Sequence, residues 1–525
     1  MEGAFFRTKK EILNSKLNFL DNKIRELDAA LLFVSFILFT LFAFFINKSI
    51  PIKALYMDDL YMWSWYAESP DIVKFCTEGI TERYRPVYWV FCYIESLLVG
   101  NKPIVYFYVN VIANSLIALF VYYFAKKLYN NFFIAAMAGI LYLVSHFSYY
   151  HIGQVMGILE NLCMIFALLF LYFTVKYLNC DNKNKSNLYF TVVLIIYILA
   201  SFTHERFIGL LPVFLVALMF KNKVRLSTRF IKTLVFILVL CGILVFRSFF
   251  TGKFIPAGTG GTEVTKTFQI TEAIKFAFMQ VLNIFGFTYG EDFLCGLRFN
   301  ELDSIGKSFV YINLGMIILI EVLYLMMSLS RGFKTSIEDI DKPTPRIGMD
   351  LVLLTFIGMN IIASSPTIRL ELRWVYVSMA GFIIFAVFKI SEISRLADKK
   401  IVKVTMFIIF VIWFASRFFT DMAYRKGYKD IYCIKDQIKI NSLMEETVYK
   451  HKDIDPTNMK IYIIDGKFIM SDFYSKWVLR PFAKNKTDKV NPVTYVQSIE
   501  DIESLDKDTI VVRENNDGTY EIVNK

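Results

Sequence analysis

Residues 29–46 read AALLFVSFILFTLFAFFI, and shortly after them residues 57–67 read MDDLYMWSWYA. An uncharged run of that length, at about 1.5 Å per helical residue, is close to one crossing of a bilayer's hydrocarbon core. The acidic pair that follows sits among aromatic rings with polar edges, which favour the boundary between membrane and water. The two stretches together predict an anchor helix that delivers Asp58 and Asp59 to a membrane surface. The preceding stretch, Met1–Asp28, is polar and amphipathic and lacks the apolar core and small-residue cleavage site of a removable signal. The first run is therefore expected to be a retained anchor.

The pattern repeats along the chain. Further apolar runs predict spans at Ile104–Phe124, Phe132–Phe147, Ile158–Tyr177, Leu188–Phe202, Phe207–Phe220 and Phe230–Phe250. Four more follow at Phe309–Leu329, Met349–Ala363, Trp374–Phe388 and Val402–Phe418, which makes about eleven transmembrane helices in all. The composition agrees. With 56% hydrophobic and only 20% charged residues, the chain carries more apolar surface than a soluble core of this length hides. The seven cysteines show no metal-ligand or redox spacing, so no disulfide framework or metal site is expected.

A net charge of +11 raises the question of nucleic acid, but its distribution answers against it. Lys126-Lys127, then Lys176, Lys183 and Lys185, then Lys221, Lys223, Arg225 and Arg229, then Arg331, Lys334, Lys342 and Arg346, then Lys389, Arg395, Lys399, Lys400 and Lys403 all fall in alternate connectors. That is the positive-inside pattern rather than a basic groove. It puts the N-terminus in the cytoplasm and the intervening segments outside.

Three long segments fall on the outer side. The first loop, residues 47–103, is too polar for a simple span and predicts short helices lying along the surface. The loop at 251–305 opens on Pro256-Ala257-Gly258-Thr259-Gly260-Gly261 and reads as an extended connection. Residues 421–525 carry strand-like runs at Lys460–Ile464 and Thr509–Val512 and a turn signal at Asn516-Asp517-Gly518. The chain thus divides into a multispan domain, 1–420, and a small C-terminal α/β extracytoplasmic domain, 421–525.

Four polar clusters carry chemistry, all assigned to that outer side. A carboxylate of Asp58 or Asp59 at the membrane surface suits a base that takes a proton from a hydroxyl; as a pair they also suit a divalent cation, although no cofactor is required. Otherwise they cap the helix that follows. His151, Gln154 and Glu160 join the third and fourth spans, where Glu160 must face a wet cavity or a partner. His204-Glu205-Arg206 is wedged between two spans, and ionisable residues there are pocket candidates by default. Arg369, Glu371 and Arg373 alternate ahead of the tenth span. Arginines at that place suit a phosphate, held by charge-assisted, bidentate hydrogen bonds.

The ordered series resembles the C-type (GT-C) glycosyltransferases, and within them the protein O-mannosyltransferase and aminoarabinose transferase superfamily. The residues that carry the resemblance are Asp58-Asp59, Arg85-Pro86-Val87 ahead of Tyr106–Asn110, Ala125-Lys126-Lys127-Leu128-Tyr129, His146–Glu160, His204-Glu205-Arg206 and Glu371-Leu372-Arg373-Trp374-Val375-Tyr376. It spans roughly Ala30 to Ile390. It implies a polyprenyl-phosphate sugar as donor, a first-loop aspartate as base, and donor-phosphate contacts from Arg85, His204, Arg206, Arg369 and Arg373. Many relatives carry Lys where this chain has His204. The expected activity is an inverting glycosyl transfer to a hydroxyl of a glycan, lipid or protein on the outer face of a membrane, expected to be a bacterial plasma membrane. A membrane glycan polymerase or ligase would share the donor. A secondary transporter predicts repeated halves and broken midplane helices, which the sequence lacks. No Gly-rich phosphate loop follows a strand, so a nucleotide sugar has no expected seat.

Overall fold

A computed structural model of the chain describes residues 28–50, 52–78, 83–222, 224–255, 268–332, 346–397, 399–464, 472–502 and 504–524. The N-terminal polar stretch ahead of Asp28, Lys223 and the Pro256–Gly261 run lie outside them. Helix α1 (Asp28–Asn47) is followed in the first loop by α2 (Asp58–Glu68), α3 (Ile72–Glu78) and α4 (Pro86–Val99). The bundle continues through α5 (Pro103–Tyr129), α6 (Phe132–Val144), the short α7 (Tyr149–Gly153), α8 (Gly157–Leu178) and α9 (Lys183–Thr203). Then come α10 (Leu211–Phe220), α11 (Leu226–Thr251), α12 (Ile270–Phe285), α13 (Asp292–Cys295) and α14 (Ser304–Gly332). The last helices of the bundle are α15 (Ile347–Ser364), α16 (Tyr376–Leu396) and α17 (Lys400–Arg425).

Among the described residues, nine helices are long and apolar enough to cross a membrane, and α6 with the helical turns after it makes a tenth, bent by 47°. The span expected at Phe207–Phe220 takes a different form: a 3-10 segment, Glu205–Leu210, runs into the ten-residue α10. By rise per residue the two are roughly 27 Å long, just short of a hydrocarbon core. Chain geometry counts it as a crossing. Arg425, at the end of α17, donates to the Ile46 carbonyl and to the Asn47 side chain, at the end of α1. Both helices therefore finish at one end of the bundle, which demands an odd total of crossings; with the bent α6 pair counted as the tenth, this stretch supplies the eleventh.

The outer faces are apolar: Phe33, Leu38, Phe230 and Phe249 are all exposed, a surface suited to lipid rather than water. Inside, α16 is buried along its length and packs against α5, α6, α14, α15 and α17. The region read as an extended connection, 251–305, contains α12. Its exposed Ile270, Ile274 and Phe278 recur every four residues and so form one apolar stripe on a helix too short to span.

After α17 come α18 (Tyr432–Met444), β1 (Lys460–Ile464), α19 (Asp472–Ser475), β2 (Thr494–Val496), β3 (Thr509–Glu514) and β4 (Tyr520–Asn524). The sheet order is β2-β1-β3-β4, parallel but for the antiparallel β3–β4 hairpin. Gly518, at φ 79°, makes the turn that Asn516-Asp517-Gly518 signalled. Helix α18 docks the first loop: Asn441 accepts from the Lys53 and Ala54 amides at 2.9 and 3.2 Å, and Asp436 accepts from the Tyr56 hydroxyl at 2.5 Å.

One clasp holds the site end of the bundle. Asp421 on α17 takes two hydrogen bonds from Arg417 at 2.7 and 3.0 Å and one from His146 Nδ1 at 2.6 Å; Arg417 also donates to the Ile284 carbonyl. All three side chains are buried, so removing one leaves the others as uncompensated polar groups. Asp421→Ala is expected to lower stability by about 3–5 kcal/mol, and Arg417→Leu added to it to recover part of the loss. Thermal unfolding of the detergent-solubilised chain checks both, and an unchanged midpoint for Asp421→Ala would count against the clasp.

Candidate active site

The acidic pair opens α2, and successive helical residues point about 100° apart. Met57 ahead of them adopts a positive φ of 43°, unusual for a residue with a side chain and a sign of local strain. The two carboxylates consequently diverge. Asp58 is exposed, lines a cavity of about 170 Å³, and among the described residues makes no hydrogen bond or ion pair. Asp59 is fully buried; its oxygens accept from the backbone amides of Val155 and Met156, both at 2.8 Å, at the start of α8. A carboxylate suits a helix N-terminus, where amides lack intrahelical partners. Burial pushes the Asp59 carboxyl up to about 7, against the pull of those two amides. The pair does not present two carboxylates to a single point.

Facing Asp58 across the cavity are Arg83, Arg85, Tyr150, Glu160, His204 and Arg373. Arg85 is fixed as a fork. Its Nε and Nη2 donate to the two oxygens of Glu205 at 2.9 and 2.7 Å, and Nη2 also lies 3.0 Å from His204 Nε2. Since a guanidinium only donates, His204 accepts and must be neutral. Burial, with the Arg85 charge added, holds this imidazole well below its ordinary value. Arg247 donates to Glu205 at 3.1 Å and Arg83 approaches it at 3.7 Å.

The other wall repeats the design. Arg206 pairs with Glu160 at 2.5 Å and accepts company from Tyr376, whose hydroxyl lies 2.8 Å from Arg206 and 2.9 Å from Glu160. Glu371 is buried between Arg369, at 2.8 Å, and Arg373, whose guanidinium also stacks 4.2 Å over the Tyr150 ring. Six guanidiniums (Arg83, Arg85, Arg206, Arg247, Arg369, Arg373) thus meet four carboxylates (Asp58, Glu160, Glu205, Glu371). Among the described residues, guanidiniums outnumber carboxylates around this polar cavity. A small anion is what such a surplus holds.

Of the five groups expected to contact a phosphate, Arg85, His204 and Arg373 line the cavity, whereas Arg206 and Arg369 stand behind it as partners of Glu160 and Glu371. Glu160 lines the cavity too. His151 lies behind Tyr376, edge-on at 4.1 Å, and the Gln154 amide donates to the Gly153 carbonyl instead of facing the cavity. Arg247 is the site residue that sequence reading passed over, although a lone arginine in the apolar run of α11 is itself a signal. A second cavity of about 220 Å³ shares Asp58, Arg83, Arg85 and Met156 with the first, and is walled by Tyr61, Trp65, Tyr88 and Trp89. The buried Tyr88 hydroxyl has no partner among the described residues. The C-terminal region closes over this side: Arg480 pairs with Glu68 of α2 at 2.9 Å and Lys486 lies 4.4 Å over the Tyr66 ring.

No protein-family model matches the chain, and no curated protein matches it. Two solved structures are similar in chain path. The crystal structure of ArnT from Cupriavidus metallidurans bound to undecaprenyl phosphate is 12% identical, with a TM-score of 0.47, over 88% of this chain and 86% of that one. The apo form of the same protein gives 11% identity and a TM-score of 0.45 over the same shares.

The divergence of the acid pair has separable consequences. Asp59→Asn sets an N–H against one of two backbone amides and is expected to destabilise the chain by about 1–3 kcal/mol, while Asp58→Asn leaves stability unchanged. The Asp59 carboxyl has a folded-state value above its unfolded 3.8. Wild type should therefore lose stability relative to Asp59→Asn as pH rises from about 4 to about 7. Paired melting curves across that window test this; a difference independent of pH contradicts it.

Proposed function

We propose that the chain is a membrane-embedded glycosyltransferase of the GT-C type, moving a sugar from a polyprenyl-phosphate donor to an acceptor hydroxyl. The observation that carries this reading is the position of Asp58. It is an exposed carboxylate, unpaired among the described residues, at the junction of two cavities, one walled by guanidiniums and the other by aromatic rings. The first suits the phosphate of a donor and the second an acceptor, whose sugar-like or ring-bearing faces pack on Trp65 and Tyr61.

In the proposed reaction the acceptor oxygen attacks the anomeric carbon while Asp58 takes its proton. The bond from that carbon to the phosphate oxygen breaks, and the polyprenyl phosphate leaves with the electron pair. Its growing negative charge falls to Arg85 and Arg373, held in place beforehand by Glu205 and Glu371. A single displacement from the face opposite the leaving group inverts the anomeric centre. Neutral His204 positions Arg85 and leaves the surplus charge to the arginines.

A lipid-borne donor agrees with the location. The cavity lies at the end of a bundle whose outer surface is apolar. Connectors at the other end carry Lys126, Lys127, Lys183, Lys221 and Lys400, and that positive-inside bias supports an extracytoplasmic site and C-terminal domain. Full-length protein in bilayers, given labelled polyprenyl-phosphate sugars and a membrane extract as acceptor, tests the proposal. Asp58→Asn is expected to reduce transfer by about 10²–10⁴-fold at an unaltered melting temperature, and undiminished transfer by that variant would refute the role of Asp58.

A further inference from the structure

At the opposite end of the bundle, the α8–α9 and α10–α11 connectors enclose a cavity of about 360 Å³ that the transfer reaction does not use. Lys183, Lys221, Arg225 and Lys232 line it, against a single carboxylate, Asp181. Two of these cations are buried. The Lys221 ammonium donates to the carbonyls of Tyr177 and Cys180, both at 2.5 Å, and the Lys232 ammonium to the Asn187 side chain at 3.1 Å. Both ammoniums lie within 4.8 Å of the centre of the same Tyr177 ring. Neither has a carboxylate at ion-pair distance among the described residues.

That arrangement departs from how the chain treats a buried lysine elsewhere at this end. Lys389 on α16 has Asp350 at 2.7 Å and Glu321 at 3.2 Å. Two uncompensated ammoniums beside one ring repel each other and lose hydration, which is unfavourable unless an anion completes the site. Next to the lining residues, the Tyr177 hydroxyl and the Arg229 Nε are also buried without a partner among the described residues. On the helices that frame the cavity, Leu188 of α9 and Leu226 and Phe230 of α11 are exposed and apolar, a surface on which acyl chains can lie.

We propose that this cavity binds a phosphate anion, with Lys183 and Arg225 at its rim and Lys221 and Lys232 at its base, independently of the transfer site. The apolar flanks favour a phosphate carried on a membrane lipid. The test uses the full-length protein in neutral detergent, its melting temperature followed while phosphatidylglycerol, phosphatidylcholine or inorganic phosphate is added at constant ionic strength. A saturating rise with phosphatidylglycerol and none with zwitterionic phosphatidylcholine supports a lipid-borne anion; an equal rise with inorganic phosphate supports the same site filled from solution. Lys183→Gln with Arg225→Gln, both exposed and so harmless to the fold, should keep the ligand-free midpoint and lose most of the rise; Arg225→Gln alone should lose part of it. The proposal is overturned if neither anion raises the midpoint, if both lipids raise it alike, or if the double variant retains the wild-type response.

Discussion

Glu205 is a carboxylate buried where α9 breaks into a 3-10 turn, and three arginines from two other segments converge on it. Burying one of these charges alone would be prohibitive, and the pairing makes it tolerable only if Arg85, Arg247 and Arg83 come to one point. That requirement draws the end of the first loop, the α9–α10 joint and the end of α11 together. It also holds the Arg85 fork rigid, so that its remaining face is aimed at the cavity rather than at a carboxylate of its own choosing. Glu371 does the same for Arg373, whereas Glu160 holds Arg206 behind the cavity. The cavity exists because carboxylates behind it neutralise most, and not all, of the guanidiniums around it.

The spans were legible because hydropathy is a local property, and eighteen apolar residues can do little besides cross a membrane or fill a core. The strands β1 and β3 and the Gly518 turn were legible for the same reason. The bend after α6 and the 3-10 entry into α10 were not, since both leave the apolar count intact and change only the path. Helix α12 was overlooked because length argued for a loop, while the four-residue spacing of Ile270, Ile274 and Phe278 argued for a helix and went unread.

Within the site, the residue types were readable and their partners were not. Asp58 and Asp59 look equivalent in sequence. Their separation depends on the rotation of α2 and on the free amides at the start of α8, almost a hundred positions away. Arg206 and Arg369 differ from Arg85 and Arg373 only in which side of a carboxylate they occupy. His146 and Asp421, 275 positions apart, had no local signal at all, yet they close the end of the bundle on which the site is built.

The central claim is that an anionic headgroup sits between Arg85 and Arg373 with Asp58 open to it. An experimental density map of the full-length protein with polyprenyl phosphate in a lipid nanodisc tests this most directly. The account predicts phosphate density within hydrogen-bonding reach of both guanidiniums, with the Asp58 carboxylate facing the same space. Phosphate density elsewhere on the molecule, or an Asp58 walled off from it, would contradict the account.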